Sequence, residues 1–385
     1  MLLRPQHRRL PSLDVFRGLV IACMLLVNGL PEFTQAYPML LHSPWEGITL
    51  ADLVMPGFIF AMGTAGALVL SKYGQDRADD IFWRIFRRSL ILIFLGLILC
   101  QVPLFLQHIF YPGEASTGLL AQIMEHGRVM GVLQRLGLVY FCGMILAWWL
   151  ERDDLLNTMA FLLLLLSSVC FHLYDTTSPF SPDDNISMVI DGIFPGSVHC
   201  YMGQNFDPEG LYGTIASTAS MLFGILAGRH LTTKNAPTFE RVSKMILHGG
   251  VLLLAGALWS YMDIVCKTLW TAPYALLTSG LFMWLLALLE ISFSFMPDFM
   301  SWLCAPWQWL GKNAILFYIL PEVVLMTIRM VQTSSGEPFY TWLWSVSLKG
   351  IGNIPLSIFL YTCLWICLWL PLAKYLHKHN IMFKI

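Results

Sequence analysis

Long apolar runs alternate with short polar connections along the whole of this chain. A bilayer core about 30 Å thick needs about 20 mostly apolar residues per helix, and a window of that length finds about ten such runs. They lie at 15–31, 50–71, 89–107, 129–150, 155–174, 212–228, 246–266, 271–292, 310–331 and 354–373. The pattern predicts an all-α, polytopic integral membrane protein with about ten transmembrane helices, organised as one domain over 1–385.

The basic residues between these runs are unevenly distributed. Lys and Arg collect on the cytoplasmic side of membrane proteins. One predicted side carries Arg4, Arg8, Arg9, Lys72, Arg77, Arg84, Arg87, Arg88, Arg152, Arg229, Lys234, Arg241, Lys244, Lys374, Lys378 and Lys384, and the other carries Arg128, Lys267, Arg329 and Lys349. This bias predicts that both termini are cytoplasmic and that the loops 32–49, 108–128, 175–211 and 332–353 lie outside.

Two further segments have amphipathic patterns. The segment 77–88 predicts a surface helix on the inner face, and the aromatic-rich segment 338–348 predicts a helix in the outer interface. Aromatic and basic side chains are typical of such interfacial positions. Both segments are therefore interpreted as membrane anchors.

Composition agrees with a lipid environment. Hydrophobic residues make up 57% of the chain and charged residues 12%, whereas soluble domains carry roughly twice that charged fraction. The formal net charge of -1 argues against a nucleic-acid partner, which needs a basic face. Among the nine cysteines no pair has zinc-binding spacing, so no metal site is predicted. Only Cys170 and Cys200 are placed so that an outer-face disulfide could form.

A small set of charged or strongly polar residues falls within the predicted spans. Such residues are costly in lipid and usually face the interior of the bundle. They are Asp14, Arg17, Asn28, Asp52, Gln134, Arg135, Glu290, Glu322 and Arg329. Each one alone could be a structural hydrogen bond between helices, but the collection favours a polar cavity. Pro321, directly before Glu322, is expected to interrupt the ninth helix.

The polar residues also suggest specific pairs. Asp14 and Arg17 are three residues apart, so they can pair on one helix face. Arg17 and Asn28 share a face of the first span, which predicts a polar stripe from the inner to the outer surface. A buried Arg135 needs an anion, and Asp52 on the second span is the expected partner.

His42 is the principal candidate for chemistry. It lies in the outer loop directly before the second span, close to Trp45 and ten residues before Asp52. Most loop histidines are merely exposed, but an imidazole that titrates near physiological pH can act as a general base or as a nucleophile. A neighbouring carboxylate, or an amide such as Asn28, could orient the ring.

Four motifs carry a family resemblance. SLDVFRGLVIACMLLVN (12–28), LHSPWEGITLADLVMPGFIFAMG (41–63), GVLQRLGLVYF (131–141) and FDPEGLYGTIAS (206–217) occur in this order. The chain resembles the heparan-α-glucosaminide N-acetyltransferase family. The resemblance implies a multi-pass acyltransferase of the cell inner membrane that moves an acetyl group from acetyl-CoA to the amine of a glucosamine-type sugar.

The resemblance also implies the site. The family's active-site histidine falls on His42, and an asparagine that assists it falls on Asn28. The candidates for contact with substrate or cofactor are Asp14, Arg17, Trp45, Asp52, Gln134, Arg135, Asp207 and Glu209. The luminal domain of the eukaryotic members has no counterpart here, so heparan sulfate itself is not the expected acceptor.

Several alternatives stay open on the sequence alone. An amino-sugar transporter, with Asp52, Arg135 and Glu322 as a relay, is the second hypothesis. For an enzyme, His42 could carry an acetyl group in a ping-pong route or act as a base in a ternary complex, and the ternary complex is slightly favoured. Acetyl-CoA, an amino sugar and the lipid bilayer are the expected partners. The sequence leaves open a homodimer and the side from which CoA enters.

Overall fold

The computed structural model describes residues 10–73, 78–112, 118–233 and 236–383. Within these ranges the fold is all-α, as predicted, and the only β pairing is an isolated bridge between Gln332 and Pro338. The helices are α1 (Pro11–Asn28), α2 (Val54–Tyr73), α3 (Ala78–Phe110), α4 (Leu119–His126), α5 (Val132–Trp149), α6 (Asp153–Tyr174), α7 (Ile186–Ile193), α8 (Thr214–Thr232), α9 (Thr238–Trp259), α10 (Ala272–Phe295), α11 (Pro297–Leu303), α12 (Ala305–Lys312), α13 (Ala314–Met330), α14 (Phe339–Ser347) and α15 (Ile354–Lys378).

Eight of the described helices are long and apolar enough to cross a membrane, and the count is nine if α12 and α13 form one bent span. The chain is therefore a polytopic membrane protein. The sequence predicted about ten spans, and the difference is α8. This helix has 19 residues and is almost entirely buried, but its many Ala, Ser, Thr and Gly residues lower its hydropathy. Because other helices surround α8, it needs no strongly apolar surface.

Small residues set the contact between α2 and α8. A Cβ atom added to Gly224 or Gly228 would collide with the backbone of α2 at Phe60 or Thr64, and one added to Gly63 would collide with the carbonyl of Met221. Helices in membranes associate through such small residues because they let two backbones approach closely. The pair α2–α8 therefore forms a tight centre for the bundle.

Close backbone contacts through glycine also position α1, which carries several candidate residues. A Cβ atom on Gly18 would collide with the carbonyl of Trp307 in α12, and one on Gly311 in α12 would collide with the carbonyl of Asp14. The two backbones are thus in mutual contact at two points. The position of α1 is set by α12 as well as by lipid-facing packing.

Two predictions about helix boundaries are wrong. The segment 77–88 is not a separate surface helix, because from Ala78 onward it is the start of α3, which has 33 residues. A helix of that length spans about 50 Å and exceeds the bilayer core. Pro321 does not interrupt its helix either, since α13 runs through it. The break lies at Asn313, where α12 and α13 meet at 87°.

The break at Asn313 is closed by the C-terminal segment. The side chain of Asn313 donates to the carbonyl of Ile381 at 3.0 Å and accepts from the amide of Phe383 at 2.9 Å. These bonds hold residues 381–383 against the helix break. The segment 338–348 does form a short helix of its own, α14, with Tyr340 and Trp344 buried against the bundle.

Basic residues form contacts at both ends of the bundle. At one end Arg229 bonds to Glu151 and Asp153, and at the other Lys267 pairs with Glu209. Which end faces the cytoplasm stays a prediction. The basic residues outside the described part of the chain, or with undescribed side chains, are Arg4, Arg8, Arg9, Lys72, Arg77, Lys234 and Lys384. Cys170 and Cys200 are free thiols, so they form no disulfide.

Candidate active site

His42 and Asp52 form a hydrogen-bonded pair at the entry to α2. His42 Nδ1 lies 2.7 Å from Asp52 Oδ1. The loop between them folds back on itself, because Thr49 donates its hydroxyl to the carbonyl of Leu41 at 2.7 Å and Gly47 takes a φ of 118°. Glycine suits that left-handed backbone since it has no Cβ. The turn therefore brings two residues that are ten positions apart into direct contact.

The carboxylate of Asp52 is fixed within this loop. Its second oxygen accepts from the amides of Ser43 and Thr49, at 3.1 and 3.0 Å, and lies 2.9 Å from the Thr49 hydroxyl, whose one proton Leu41 and Asp52 share. The Asp52 side chain is only 1% exposed, whereas that of His42 is 55% exposed. Because Asp52 is held as an acceptor, Nδ1 of a neutral imidazole carries the proton and Nε2 is left with its lone pair. The pair presents an oriented base at the surface of the loop.

One predicted partnership is wrong, and the structure decides between two alternatives for another. Asp52 is not the partner of Arg135: Nη2 of Arg135 instead donates to the carbonyl of Gly210 at 2.7 Å. Asn28 does not contact His42 through its side chain: Nδ2 of Asn28 donates to Glu322 at 3.0 Å. The group that orients the imidazole is therefore the carboxylate.

Asn28 belongs to a network that ties the end of α1 to α13. Arg329 donates to the carbonyls of Asn28 and Leu30 at 2.9 and 2.8 Å, and Tyr340 donates to the carbonyl of Gly29 at 2.6 Å. These bonds satisfy carbonyl groups at the C-terminal end of the helix. The network holds the Asn28 amide and the backbone that leads into the His42 loop.

Aromatic residues at the start of α10 connect Asp52 to Arg135. The hydroxyl of Tyr274 donates to the carbonyl of Asp52 at 2.6 Å, and the ring of Trp270 meets that of Tyr274 edge-on at 5.3 Å. The guanidinium of Arg135 lies over Trp270 at 5.5 Å. The sequence analysis missed both aromatics, because at the end of a span they resemble ordinary interface residues.

Asp207 and Glu209 lie in a buried cluster of charges. Arg128 donates to both oxygens of Asp207, at 2.8 and 2.6 Å, and to Glu209 at 2.6 Å. Lys267 lies 3.5 Å from the other oxygen of Glu209. Burial opposes the charge of Glu209, but Lys267 and Arg128 outweigh it and lower its pKa. Likewise, burial disfavours the charge of Arg128, but its bond to Asp207 outweighs this and raises the pKa.

Asp191 in α7 is a further carboxylate that the sequence analysis missed. It is fully buried and accepts from the amides of Asp207 and Leu211 at 3.0 and 3.1 Å. Burial raises its pKa. Asp191 shapes the loop that carries Asp207 and Glu209. Gly210 fits beside Asp191 because it has no Cβ atom, and a Cβ atom there would collide with the Asp191 carboxylate.

Arg135 lies beneath this loop and is fully buried. In the described part of the chain its Nε and Nη1 atoms have no hydrogen-bond partner. The carboxylates of Glu209, Asp207 and Asp191 attract its charge and partly oppose the unfavourable effect of burial. Its neighbour Gln134 donates to the carbonyl of Val129 at 2.9 Å and so holds the turn before α5.

Trp45 joins the His42 loop to the other loops at this end. Its indole donates to the carbonyl of Phe180 at 3.0 Å and its ring meets Phe206 at 6.3 Å. The amide of Gly47 donates to the carbonyl of Val265 at 2.7 Å. These contacts fix the His42 loop on three sides.

Asp14 and Arg17 lie elsewhere. They form the predicted local pair, with 3.8 Å between Arg17 Nη1 and Asp14 Oδ1. Arg17 is about 16 Å from Asn28 along α1, and it interacts electrostatically with Arg88 of α3. The structure thus separates this pair from the other candidates. Asp14 and Arg17 lie near the start of α1, whereas Asn28 is its last residue and the remaining candidates gather around the His42 loop.

Fold and site together define the class: a polytopic α-helical membrane protein with a histidine–carboxylate pair in a loop at one end of the bundle. No family model matches the chain. It is 25% identical to the heparan-alpha-glucosaminide N-acetyltransferase of Mus musculus over 451 aligned positions, which cover 99% of this chain and 61% of that protein. It is 26% identical to the enzyme of the same name from Homo sapiens, over 82% of this chain and 53% of that protein.

These similarities confirm the family resemblance that the motifs predicted: the chain is similar to the heparan-α-glucosaminide N-acetyltransferases over most of its length. It spans less than two thirds of the length of either curated relative.

Proposed function

We propose that this chain is a membrane acetyltransferase of the cell inner membrane that moves an acetyl group from acetyl-CoA to the amine of a glucosamine-type sugar. One observation carries the proposal: the half-exposed imidazole of His42 is hydrogen-bonded to the buried carboxylate of Asp52. An imidazole held in this way is typical of enzymes that use it as a base, because the carboxylate fixes the tautomer and stabilises the imidazolium.

The chemistry needs such a base. An amine attacks a thioester only when it is unprotonated, and Nε2 of His42 is placed to take the proton from the acceptor ammonium. The new bond forms between the sugar nitrogen and the acetyl carbon, and the carbon–sulfur bond breaks. Amide formation removes a second proton from the nitrogen, so one proton passes through His42 to the departing CoA thiolate and the other is released to water. General-base catalysis of this kind contributes about 10²–10⁴ in rate.

A second route is chemically complete as well. In it Nε2 attacks the thioester first, CoA leaves as the thiol, and the acetyl-imidazole then passes its acetyl group to the amine. We favour the ternary complex because it needs no acyl-imidazole that waits for its acceptor. Exchange of labelled CoA into acetyl-CoA without any sugar separates the two routes, since only the acetyl-imidazole route permits it.

The other candidate residues take supporting positions in this proposal. Arg17, together with Arg88, provides positive charge for CoA phosphates at the end of the bundle that we assign to the cytoplasm. Asn28 is held by Glu322 beside the entry to the His42 loop. The ion pairs of Asp207 and Glu209 with Arg128 and Lys267 rigidify the loop before α8.

The direct test is acetyl transfer by the purified chain. Incubation with radiolabelled acetyl-CoA and glucosamine in detergent is expected to yield labelled N-acetylglucosamine. His42→Ala should lower the rate by about 10²–10⁴ while CoA binding persists. His126→Ala removes an exposed histidine of α4 and is the matched control with normal rate. Near-normal transfer by His42→Ala would remove His42 from the mechanism.

An amino-sugar transporter is the second candidate, and one observation favours it. The helix break between α12 and α13 resembles the discontinuous helices that line substrate sites in transporters. Proteoliposomes loaded with unlabelled glucosamine distinguish the two functions. Counterflow of labelled, unmodified glucosamine would favour transport, whereas formation of N-acetylglucosamine without counterflow would favour the enzyme.

A further inference from the structure

A second histidine–aspartate pair, His172 and Asp263, lies near the His42–Asp52 pair but shares no residue with it. Nε2 of His172, near the end of α6, lies 2.9 Å from Asp263, and the Ser168 hydroxyl donates to the same carboxylate at 2.6 Å. Asp263 is buried, whereas the side chain of His172 is 39% exposed. Burying a carboxylate in a membrane bundle costs free energy, and such residues usually have a functional reason.

Ser168 and His172 border an apolar cavity between α6 and the end of α9. The cavity has a volume of about 420 Å³ and is lined by Leu165, Ser168, Val169, His172, Leu173, Trp259 and Met262. Small-molecule sites have volumes of this order, apolar walls and a few polar groups. Leu165, Val169, Leu173 and Met262 are exposed on the bundle surface, so the cavity opens toward the lipid. Its apolar walls and polar border match an aliphatic chain with a polar head.

The cavity is structurally continuous with the His42 loop. The segment from Asp263 to Val265 reaches that loop through the bond from the Gly47 amide to the Val265 carbonyl, 2.7 Å. The His172 ring also meets the ring of Phe180 at 5.5 Å, and the carbonyl of Phe180 accepts from Trp45. A head group held at His172 would therefore lie beside the elements that position the candidate base.

We infer that the α6–α9 cavity binds the aliphatic chain of an amphiphilic acceptor, an amino sugar carried on a lipid-like tail, with the head group at His172, whose ring Asp263 holds. This inference rests on the proposed acetyl transfer for its purpose but not for the binding itself. Nδ1 of the part-exposed His172 imidazole can form a hydrogen bond with a sugar hydroxyl, and the apolar walls take the chain. A freely soluble sugar would make no use of the cavity.

Binding is tested with a dodecyl glucosaminide that carries a diazirine in its chain, photolysed in the presence of the full-length protein in nanodiscs. Labelled peptides are expected to map to the segments 165–173 and 259–262, and excess dodecyl glucosaminide should compete whereas glucosamine should not. Leu165→Trp fills the cavity and should reduce the labelling at least about tenfold. Leu162→Trp is the matched control, because Leu162 lies on the same helix with similar exposure, 51% against 48%, but outside the cavity.

The same variants distinguish this inference from the proposed function. Suppose that the enzyme acetylates both sugars. The KM for dodecyl glucosaminide should then be at least about tenfold below that for glucosamine in the native chain and in Leu162→Trp. In Leu165→Trp this difference should disappear. If neither sugar is acetylated while the photolabel still maps to the cavity, the transferase proposal fails and the binding site stands. Labelling spread evenly over all lipid-facing helices, or unchanged in Leu165→Trp, would overturn the site. Covalent dimers linked through 165–173 would assign the cavity to a subunit contact instead, and would also overturn it.

Discussion

At the scale of single residues, Asp52 has two structural tasks. Its Oδ1 atom holds the imidazole of His42, and its Oδ2 atom holds the backbone of the same loop through Ser43 and Thr49. The same carboxylate thus shapes the loop and sets the tautomer of the candidate base. Removing its charge while keeping its shape should separate the two tasks.

Asp52→Asn is expected to keep the fold and lower kcat by about 10²–10⁴, because an amide oxygen still accepts from the loop amides but no longer stabilises an imidazolium. The rate of acetyl transfer and the thermal midpoint in detergent are the two measurements. Asp184→Asn changes an exposed carboxylate in a neighbouring loop and should leave both unchanged. A normal kcat in Asp52→Asn would mean that the carboxylate only shapes the loop.

Glu209 provides a pH-dependent contribution to stability. Its pKa in the folded protein is lowered, mainly by Lys267 and Arg128 against the effect of burial. The stabilisation is therefore fully present above the unfolded value of about 4.3 and is lost as the pH falls through the lower, folded value. Thermal unfolding of the native chain should show this loss in acid, and Glu209→Gln should show less of it.

At neutral pH, Glu209→Gln should lower the free energy of unfolding by about 3–5 kcal/mol, since it removes the carboxylate that pairs with the buried Lys267. Glu240→Gln is the matched control. It removes one half of an exposed ion pair with Lys244, and such pairs contribute about 0–1 kcal/mol. Equal effects of the two substitutions would show that the Glu209 cluster adds no more than a surface ion pair.

At the scale of elements, close backbone contacts position the helices that carry the site. Gly18 and Gly311 allow α1 to touch α12, and Gly224 allows α8 to touch α2. A side chain at these positions would have to displace backbone rather than a flexible side chain. These contacts are therefore sensitive points for folding.

Gly18→Ala should destabilise the protein by about 1–3 kcal/mol, the usual effect of overpacking a tight contact. The measurement is the thermal or denaturant midpoint in detergent. Gly192→Ala is the control, because a Cβ atom there meets nothing within 4 Å. If Gly18→Ala were as stable as the native chain, α1 and α12 would be able to separate without loss.

The elements also show what the sequence could predict. The apolar runs located most helices within a few residues, because each needs enough length and hydropathy to cross a bilayer. The break at Asn313 was missed and one at Pro321 was expected instead. Neighbouring side chains in a bundle can satisfy the groups that a proline frees, and this compensation is not visible in a local sequence.

In the candidate site, too, some features could be predicted from the sequence and others could not. His42, Asn28 and Asp52 stand in recognisable motifs close together in sequence. The partners that were missed, such as Tyr274 for Asp52, lie far away along the chain. The choice of Asp52 as the partner of Arg135 failed because charge alone does not tell which carboxylate a folded loop brings near. Tertiary packing decides that.

At the scale of the whole molecule, the two ends of the bundle differ in their chemistry. One end carries the His42 loop, the Arg128 cluster and the α6–α9 cavity, and the other carries Asp14, Arg17 and the Arg229 contacts. The proposed transfer needs the first end to face away from the cytoplasm. This orientation rests on the distribution of basic residues.

Cysteine labelling tests the orientation. A membrane-impermeant maleimide should label Asp183→Cys on intact cells and Asp80→Cys only after the membrane is opened, since both positions are exposed on opposite sides of the predicted bundle. The native chain, with its nine cysteines, gives the background for each condition. The reverse pattern would invert the topology and, with it, the direction of the proposed transfer.

The composition of α8 has a consequence for how the protein is made. A helix rich in Ser, Thr and Gly enters lipid weakly, because each residue adds little to the free energy of insertion. Yet α8 is the helix that α2, α5, α6 and α10 enclose. During synthesis α2, α5 and α6 emerge before α8, while α10 emerges after it. Stable integration of α8 therefore depends on segments made before and after it, and a nascent chain that ends at α8 should be held by the insertion machinery until α9 and α10 arrive.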